Sequence, residues 1–244
     1  MLTFAVAVSP FYAFEQSDTF GRLVVLVLFL CSIIAWSIII EKWLALRRVR
    51  RQLHRFLSEF SAAPSPLDVF AGLDSFDGPV RNIAHEALVA VARLEEMSPA
   101  TLVRDWYAGS FRSRLSEQDL DHVRALVERA VDTEVARLEQ GLGLLGSIVS
   151  ASPFLGLLGT VWGVMIAFCG MAAHGKADID AIAPGVSGAL LTTVVGLLVA
   201  IPALIGFNVL SGVVRQLTVK LDNFADTFLS LLKSRLSNMD IRAD

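Results

Sequence analysis

The fold is decided by a long uncharged stretch in the second half of the chain, residues 141–173, which read GLGLLGSIVSASPFLGLLGTVWGVMIAFCGMAA. Neither this stretch nor residues 181–214, AIAPGVSGALLTTVVGLLVAIPALIGFNVLSGVV, contain an Asp, Glu, Lys, Arg or His. A helix rises about 1.5 Å per residue, and about 20 apolar residues cross the hydrocarbon core of a bilayer. Both stretches are therefore predicted to be transmembrane helices, and the short link between them makes them an antiparallel pair.

A further apolar stretch, residues 23–40, lies near the N-terminus and is predicted to be the first transmembrane helix. No small-residue cleavage site follows it, which favours a retained anchor over a signal peptide. Residues 1–19 contain no Lys or Arg, whereas residues 42–55 are densely basic. The positive-inside rule then places the N-terminus in the periplasm and the C-terminus in the cytoplasm. The predicted fold class is an all-α integral membrane protein with three transmembrane helices and long cytoplasmic helical extensions.

These patterns divide the chain into seven segments. The predicted order is a periplasmic N-terminal segment at 1–19, transmembrane helix 1 at 20–40, a cytoplasmic helical region at 41–140, transmembrane helix 2 at 141–173, a periplasmic link at 174–182, transmembrane helix 3 at 183–212 and a cytoplasmic C-terminal helix at 213–244.

Helix signals recur through the cytoplasmic region. Pro64 and Pro66 are predicted to end the helix that leaves the first span. Gly78-Pro79, Ser98-Pro99 and Ser116 with Asp119 are each predicted to begin a new one. The last of these is expected to continue without a break through Gly141 into the second span. The tail after Arg215 is predicted to be an amphipathic helix, with Leu231 or Leu232 ending its apolar face.

The composition favours a membrane protein over an enzyme. The chain is 54% hydrophobic and has a mean hydropathy of +0.59, and its mixed-charge region is too small for an independent catalytic domain. The motif Gly141–Gly146 matches a dinucleotide fingerprint only as a string, because it follows a helical pattern rather than a strand. Cys31 and Cys169 lie in apolar spans and have no metal-ligand spacing. We therefore expect no enzymatic activity, no cofactor, no metal and no nucleic-acid partner, while the arginines after the first span are suited to anionic lipid.

Small residues and prolines mark the second and third spans. Small residues allow membrane helices to approach closely, and the prolines are predicted to kink the helices. The predicted packing residues are Gly156, Gly159, Gly163, Gly188, Gly196 and Ala200, and the predicted kinks are at Pro153, Pro184 and Pro202.

Hydroxyl groups in these two spans suggest more than packing. Thr160, Thr192, Thr193 and Ser187 lie where an unpaired polar group is costly. A threonine can instead bond to its own helix backbone, but several on facing helices favour a polar seam or a pore wall. Since none of the three spans contains an Asp or Glu, any proton path needs a carboxylate from a partner helix; otherwise the function is not proton movement.

Two motifs resemble those of the TolQ/ExbB/MotA proton-channel family. Residues 152–165, SPFLGLLGTVWGVM, resemble the second-helix motif. Residues 183–196, APGVSGALLTTVVG, with Ala200-Ile-Pro-Ala203 and Phe207-Asn208, resemble the third-helix motif. The three-span layout extends the resemblance over the whole chain, and the tail KLDNFADTF at 220–228 is more similar to the TolQ branch than to ExbB.

The resemblance implies a multi-pass protein of the bacterial inner membrane that forms a homopentamer. The pentamer would enclose a TolR-like or ExbD-like dimer of single-span chains, whose Asp carries the proton. The family's pore-facing threonines map onto Thr160 and Thr193, with Thr192 as an extra polar contact. Proton flow would then drive a TolA-like or TonB-like force transmitter.

One position departs from the family pattern, and several alternatives stay open. The family often has Glu where this chain has Gly188, so a gating or relay role of that acid does not carry over. The alternatives to a TolQ-like role are an ExbB-like subunit that energises outer-membrane import, a non-conducting oligomeric scaffold and, with less support, a secondary transporter. The sequence also leaves H⁺ and Na⁺ open as the transported ion.

Overall fold

The computed structural model describes residues 13–15, 17–62, 72–108, 115–174 and 179–240, and over these residues it contains helices and no strand. The main elements are α1 (Thr19–Ala62), a 3₁₀ turn (Leu73–Ser75), α2 (Pro79–Leu94), α3 (Pro99–Tyr107), α4 (Glu117–Glu139), α5 (Leu142–His174) and α6 (Ile179–Asp240). Helices α1, α5 and α6 are long and apolar enough to cross a membrane. The predicted all-α fold with three transmembrane helices is confirmed.

The chain forms two compact units. The first, here called the membrane unit, comprises Met1–Lys42 and Gly141–Leu210. The second, here called the polar unit, comprises Trp43–Gln140 and Ser211–Asp244. Helices α1 and α6 contribute residues to both units, whereas α2, α3 and α4 belong to the polar unit and α5 to the membrane unit.

Within the membrane unit, α5 and α6 run antiparallel. A Cβ atom added at Gly146 would lie 3.3 Å from the Phe207 ring, and one added at Gly163 would lie 2.7 Å from the Ala189 Cβ. Residue numbers therefore rise along α5 as they fall along α6, which confirms the predicted antiparallel pair. Helix α1 runs parallel to α6, because a Cβ at Gly206 would meet Ile39 at 2.6 Å while Gly188 lies against Ser17.

The polar unit has its own apolar core. Helix α2 packs against α4, α3 and the 3₁₀ turn. The predicted amphipathic tail is the C-terminal part of α6, and its apolar face is buried within the chain at Leu217, Leu221, Phe224, Phe228 and Leu232. Leu232, which is 3% exposed, ends this apolar face, whereas Leu231 is 37% exposed.

Local sequence signals set the starts of the polar helices, as predicted. Pro79 and Pro99 are the first residues of α2 and α3, and the Thr101 N–H donates to the Ser98 Oγ at 3.1 Å. Ser116 caps α4: the Asp119 N–H donates to the Ser116 Oγ at 3.2 Å, and the Ser116 N–H donates to the Asp119 Oδ2 at 2.8 Å. These two reciprocal bonds form a capping box.

We expect Ser116→Ala to destabilise the first turn of α4 by about 1 kcal/mol, because the Asp119 backbone N–H loses its side-chain acceptor. Hydrogen bonds from the backbone N–H and then the hydroxyl of Ser116 lower the pKa of Asp119. A carboxyl whose pKa is lowered by folding stabilises the fold above its unfolded pKa, and this contribution is lost as the pH falls through the folded value. Amide hydrogen exchange across residues 117–121 measures both effects. Equal protection in the variant and the wild type would contradict this role of the cap.

One prediction about helix continuity was wrong. Helix α4 ends at Glu139 and α5 begins at Leu142, so they are two helices. Gln140 leaves the helical region with ψ 130°, and Gly141 has φ +84°. Side chains strongly disfavour a positive φ, so glycine is the residue that allows the chain to turn here. Gly141 is therefore the breaker that separates the two helices.

Other predicted boundaries lie inside continuous helices. Helix α6 begins at Ile179, so residues 179–182 of the predicted link are helical, and α6 continues from the third span through the predicted C-terminal segment to Asp240. Helix α1 ends at Ala62. Pro64 and Pro66, which were predicted to end it, lie outside the described residues.

Candidate functional site: a threonine cluster between α5 and α6

The backbones of α5 and α6 touch at two glycines. A Cβ at Gly156 would lie 2.8 Å from the Thr192 carbonyl oxygen and 3.0 Å from the Thr193 Cα. A Cβ at Gly196 would lie 2.7 Å from the Ser152 carbonyl oxygen and 3.2 Å from the Gly156 Cα. Real side chains essentially never approach backbone atoms this closely, so only glycine fits either position. This close approach brings side chains of α6 within hydrogen-bond distance of the α5 backbone.

Three threonine hydroxyls gather around the carbonyl oxygen of Gly156, and we call Thr160, Thr192 and Thr193 the threonine cluster. The Thr192 Oγ1 lies 2.9 Å and the Thr193 Oγ1 lies 3.1 Å from that oxygen. The Thr160 Oγ1 lies 3.4 Å from it and 3.2 Å from the Thr193 Oγ1. The structure thus brings together all three threonines singled out from the sequence.

Thr160 and Thr193 form the accessible part of the cluster. Both are partly exposed in the chain, and their hydroxyls are close enough for either to donate to the other. The Thr160 hydroxyl also lies 2.7 Å from the Leu157 carbonyl oxygen. Because a hydroxyl carries one proton and two lone pairs, donation to Leu157 leaves Thr160 able to accept from Thr193. The pair can therefore rearrange its protons without adding a charge.

Thr192 differs from its two neighbours because it is fully buried, with 0% exposure. Its hydroxyl lies 2.7 Å from the Ala189 carbonyl oxygen as well as 2.9 Å from that of Gly156. A Cβ at Gly159 would lie 2.5 Å from the Thr192 Oγ1. Thr192 thus fills the space left by Gly159 and ties the two helices together.

The small residues and prolines predicted as packing and kink positions lie on α5 and α6. Gly163 packs against Ala189, and Ala200 is buried at 5% exposure. Gly188 packs against Ser17, which precedes α1, rather than against α5. Pro153 lies inside α5, and Pro184 and Pro202 lie inside α6.

One acidic residue that was not predicted from the sequence as part of a site, Asp18, lies against α5. The Asp18 Oδ2 accepts a hydrogen bond from the Trp162 indole N–H at 3.1 Å, and its Oδ1 accepts from the Gly21 N–H at 2.9 Å. An Asp just before an apolar helix is a common N-cap signal, which could have placed Asp18 at the start of α1. No spacing in the sequence indicates its contact with Trp162.

The described parts of the chain contain no group of three His, Cys, Asp or Glu residues that could hold a metal ion. Between α5 and α6, the threonine cluster presents neutral hydroxyls beside backbone carbonyl oxygens. Such a site can exchange hydrogen bonds with a carboxyl group, since it both donates and accepts.

Comparison with known proteins finds a family of membrane channels and several relatives of similar length. Residues 95–223 match the model of the MotA/TolQ/ExbB proton channel family. The Tol-Pal system protein TolQ of Pseudomonas aeruginosa is 31% identical over 90% of this chain and 90% of its own length. The biopolymer transport protein ExbB of Xanthomonas campestris is 32% identical over 86% of this chain and 83% of its own.

A second ExbB, from Pseudomonas putida, is 31% identical over 82% of this chain, and the match spans 56% of that longer protein. The family match begins directly after α2 and covers α3, α4, α5 and the portion of α6 that contributes Thr192 and Thr193. The three apolar helices and this similarity identify an inner-membrane protein. With its threonine cluster inside the matched region, the chain belongs to the MotA/TolQ/ExbB proton channel family.

Proposed function

We propose that this chain is the channel-forming subunit of a TolQ-like motor, in which proton flow moves a periplasm-spanning protein that supports envelope integrity and cell division. The observation that carries the proposal is the partly exposed hydroxyl pair of Thr160 and Thr193. This pair belongs to two adjacent apolar helices whose uncharged stretches, 141–173 and 181–214, contain no acid. The site is therefore suited to receive a carboxyl group from another chain.

The chemistry of the pair suits both protonation states of such a carboxyl. A protonated carboxyl donates a hydrogen bond to a threonine oxygen. An ionised carboxylate accepts a hydrogen bond from the hydroxyl of Thr193 or Thr160. Moving one elementary charge through 100 mV releases about 2.3 kcal/mol, so useful work requires repeated steps. A site that binds both states of the acid can be used in every cycle.

The proposed assembly is a homopentamer around a TolR-like dimer of single-span chains, each with an intramembrane Asp. The N-terminus lies in the periplasm and the C-terminus in the cytoplasm, as the basic residues after the first span favour. A TolA-like protein receives the force. No acid of this chain's own spans takes part, and Gly188 offers no side chain for a relay.

A second candidate function is that of an ExbB-like subunit that energises outer-membrane import through ExbD-like and TonB-like partners. Its support is that the two ExbB relatives are as similar to this chain as TolQ is, at 31–32% identity against 31%. Native mass spectrometry of the complex from its source membrane separates the two roles. Co-purification with a TolR-like chain supports the first role, and co-purification with an ExbD-like chain supports the second.

Proton flux into proteoliposomes that contain this chain and its acid-bearing partner tests the proposal. We expect Thr193→Val to reduce the flux about tenfold or more, because Val keeps the shape but leaves the partner's carboxyl without a hydrogen bond. Thr193→Ser keeps the hydroxyl and should retain most of the flux. Thr227→Val serves as the control, because this exposed threonine lies in the polar unit and its hydroxyl donates to the Asn223 carbonyl oxygen of its own helix.

The same measurement separates a channel from a scaffold. Full flux in both Thr160→Val and Thr193→Val would contradict the hydroxyl pathway. An intact wild-type complex that conducts no protons would instead support a non-conducting scaffold.

A further inference from the structure

The residues just before α1 tie that helix to the other two transmembrane helices. Ser17 is buried, at 6% exposure, and its Oγ lies 3.2 Å from the Gly188 carbonyl oxygen on α6. A Cβ at Gly188 would lie 2.9 Å from both the N and the Cα of Ser17. The backbone of Ser17 thus occupies the space that a side chain at position 188 would need.

Asp18 makes the corresponding connection to α5. One carboxylate oxygen caps the first turn of α1 through the Gly21 N–H, and the other accepts the Trp162 indole N–H. The Phe20 ring lies against the Trp162 ring, with centroids 4.8 Å apart. We call Ser17, Asp18, Phe20, Trp162 and Gly188 the N-terminal latch.

The latch lies beside the threonine cluster and on another side of α5. A Cβ at Gly21 would lie 3.8 Å from the Thr192 Cγ2, so the first turn of α1 is level with Thr192. Trp162 follows Thr160 by two positions, which is about 200° around a helix. Asp18 is therefore on the side of α5 away from the Thr160 hydroxyl, where it acts through packing rather than by meeting the proton.

Few charged side chains lie near the Asp18 carboxylate among the described residues. Negative charge is favoured at a helix N-terminus, and hydrogen bonds to a charged acceptor are stronger than those to a neutral one. The charged neighbours on the same segment are Glu15 and Arg22, and the Arg22 Nη2 donates to the Glu15 carbonyl oxygen at 2.5 Å. The stretches 141–173 of α5 and 181–214 of α6 contain no charged side chain that could face Asp18.

We propose that Asp18 is a positioning residue for proton transport. Its ionised carboxylate holds α1 against Trp162, and the first turn of α1 in turn holds Thr192, which fixes the spacing of α5 and α6 at the Thr160–Thr193 pair. Protonation or neutralisation of Asp18 releases this hold. The inference rests on the proposed function, because it concerns how well the threonine pathway works.

The first test does not depend on transport. In the full chain with Trp36, Trp43 and Trp106 changed to Phe, the emission of Trp162 is measured as the solution is acidified. We expect the emission to titrate with Asp18 present and not in Asp18→Asn. Glu15→Gln, at the exposed neighbouring acid, should titrate like the parent. The absence of any titration, or the same titration in Asp18→Asn, would overturn the latch.

The second test measures proton flux in proteoliposomes with the acid-bearing partner, over a range of external pH. We expect Asp18→Asn to reduce the flux about tenfold and to flatten its pH profile. Trp162→Phe, which keeps the aromatic contact with Phe20, should reduce the flux and flatten the pH profile in the same way. The double variant should lose no more flux than either single variant.

Additive losses would show that the two side chains act separately and would overturn the coupling. Emission that titrates while Asp18→Asn conducts normally would overturn the positioning role and leave the proposed function standing. A wild-type protein whose emission titrates but which conducts no protons would overturn the proposed function, and the positioning role with it.

Discussion

Gly156→Ala is expected to cause a large loss of proton-driven activity and to weaken the association of α5 with α6, although only one methyl group is added. The new Cβ would lie 2.8 Å from the Thr192 carbonyl oxygen and 3.0 Å from the Thr193 Cα. These are backbone atoms inside α6, so the contact cannot be relieved by rotating a side chain. Forced overpacking of this kind costs about 1–3 kcal/mol.

The functional loss should reach the upper end of that range. The Gly156 carbonyl oxygen is the common acceptor of Thr192 and Thr193, at 2.9 Å and 3.1 Å. A shift of a few tenths of an ångström between the helices lengthens both bonds and changes the Thr160–Thr193 spacing of 3.2 Å. We therefore expect a loss of proton flux of about a hundredfold, which corresponds to about 2.8 kcal/mol because each tenfold change is worth about 1.4 kcal/mol.

The matched control is Gly143→Ala on the same helix. Among the described residues, a Cβ at Gly143 meets no atom within 4 Å, and Ala has a higher helix propensity than Gly by about 1 kcal/mol. The control should therefore be neutral or slightly stabilising. Thermal unfolding of the purified complex and proton flux in proteoliposomes measure the pair. Equal behaviour of the two variants would contradict the backbone contact at Gly156.

Features that depend on neighbouring residues could be predicted from the sequence. The uncharged stretches and the basic segment after the first span predicted three membrane helices. Short capping signals predicted the starts of α2, α3 and α4. Small residues and threonines in 152–165 and 183–196 marked the two helices that meet at the cluster. Each of these signals acts within one or two helical turns, which is the range over which a sequence pattern fixes local structure.

Features that depend on distant contacts could not be predicted in this way. The burial of Thr192 against Gly159, and the partial exposure of Thr193 beside it, depend on the rotation of α6 against α5. The contact between Asp18 and Trp162 joins residues far apart in the chain. Gly141 was a different case, because its φ of +84° is typical of glycine and the sequence offered the signal. It was misread because the apolar pattern continues on both sides.

Phe56→Ala is expected to destabilise the polar unit strongly, because Phe56 lies in the aromatic core of that unit. Phe56 is 2% exposed. Its ring centroid lies 5.0 Å from that of Phe76 and 5.4 Å from that of Phe224, both in edge-to-face geometry. Truncation of a buried Phe to Ala typically costs about 3–5 kcal/mol, because apolar contacts are lost and a cavity remains.

Phe56 joins parts of the chain that are distant in sequence, since it belongs to α1 while Phe224 belongs to α6 and Phe76 follows the 3₁₀ turn. Amide hydrogen exchange should therefore show faster opening in residues 43–60 and 217–232 together. Leu231→Ala, at a residue of α6 that is 37% exposed, is the control and should change exchange little. Loss of protection confined to residues 43–60 would contradict a shared aromatic core, since Phe224 contacts Phe56 directly and loses a packing partner in the same substitution.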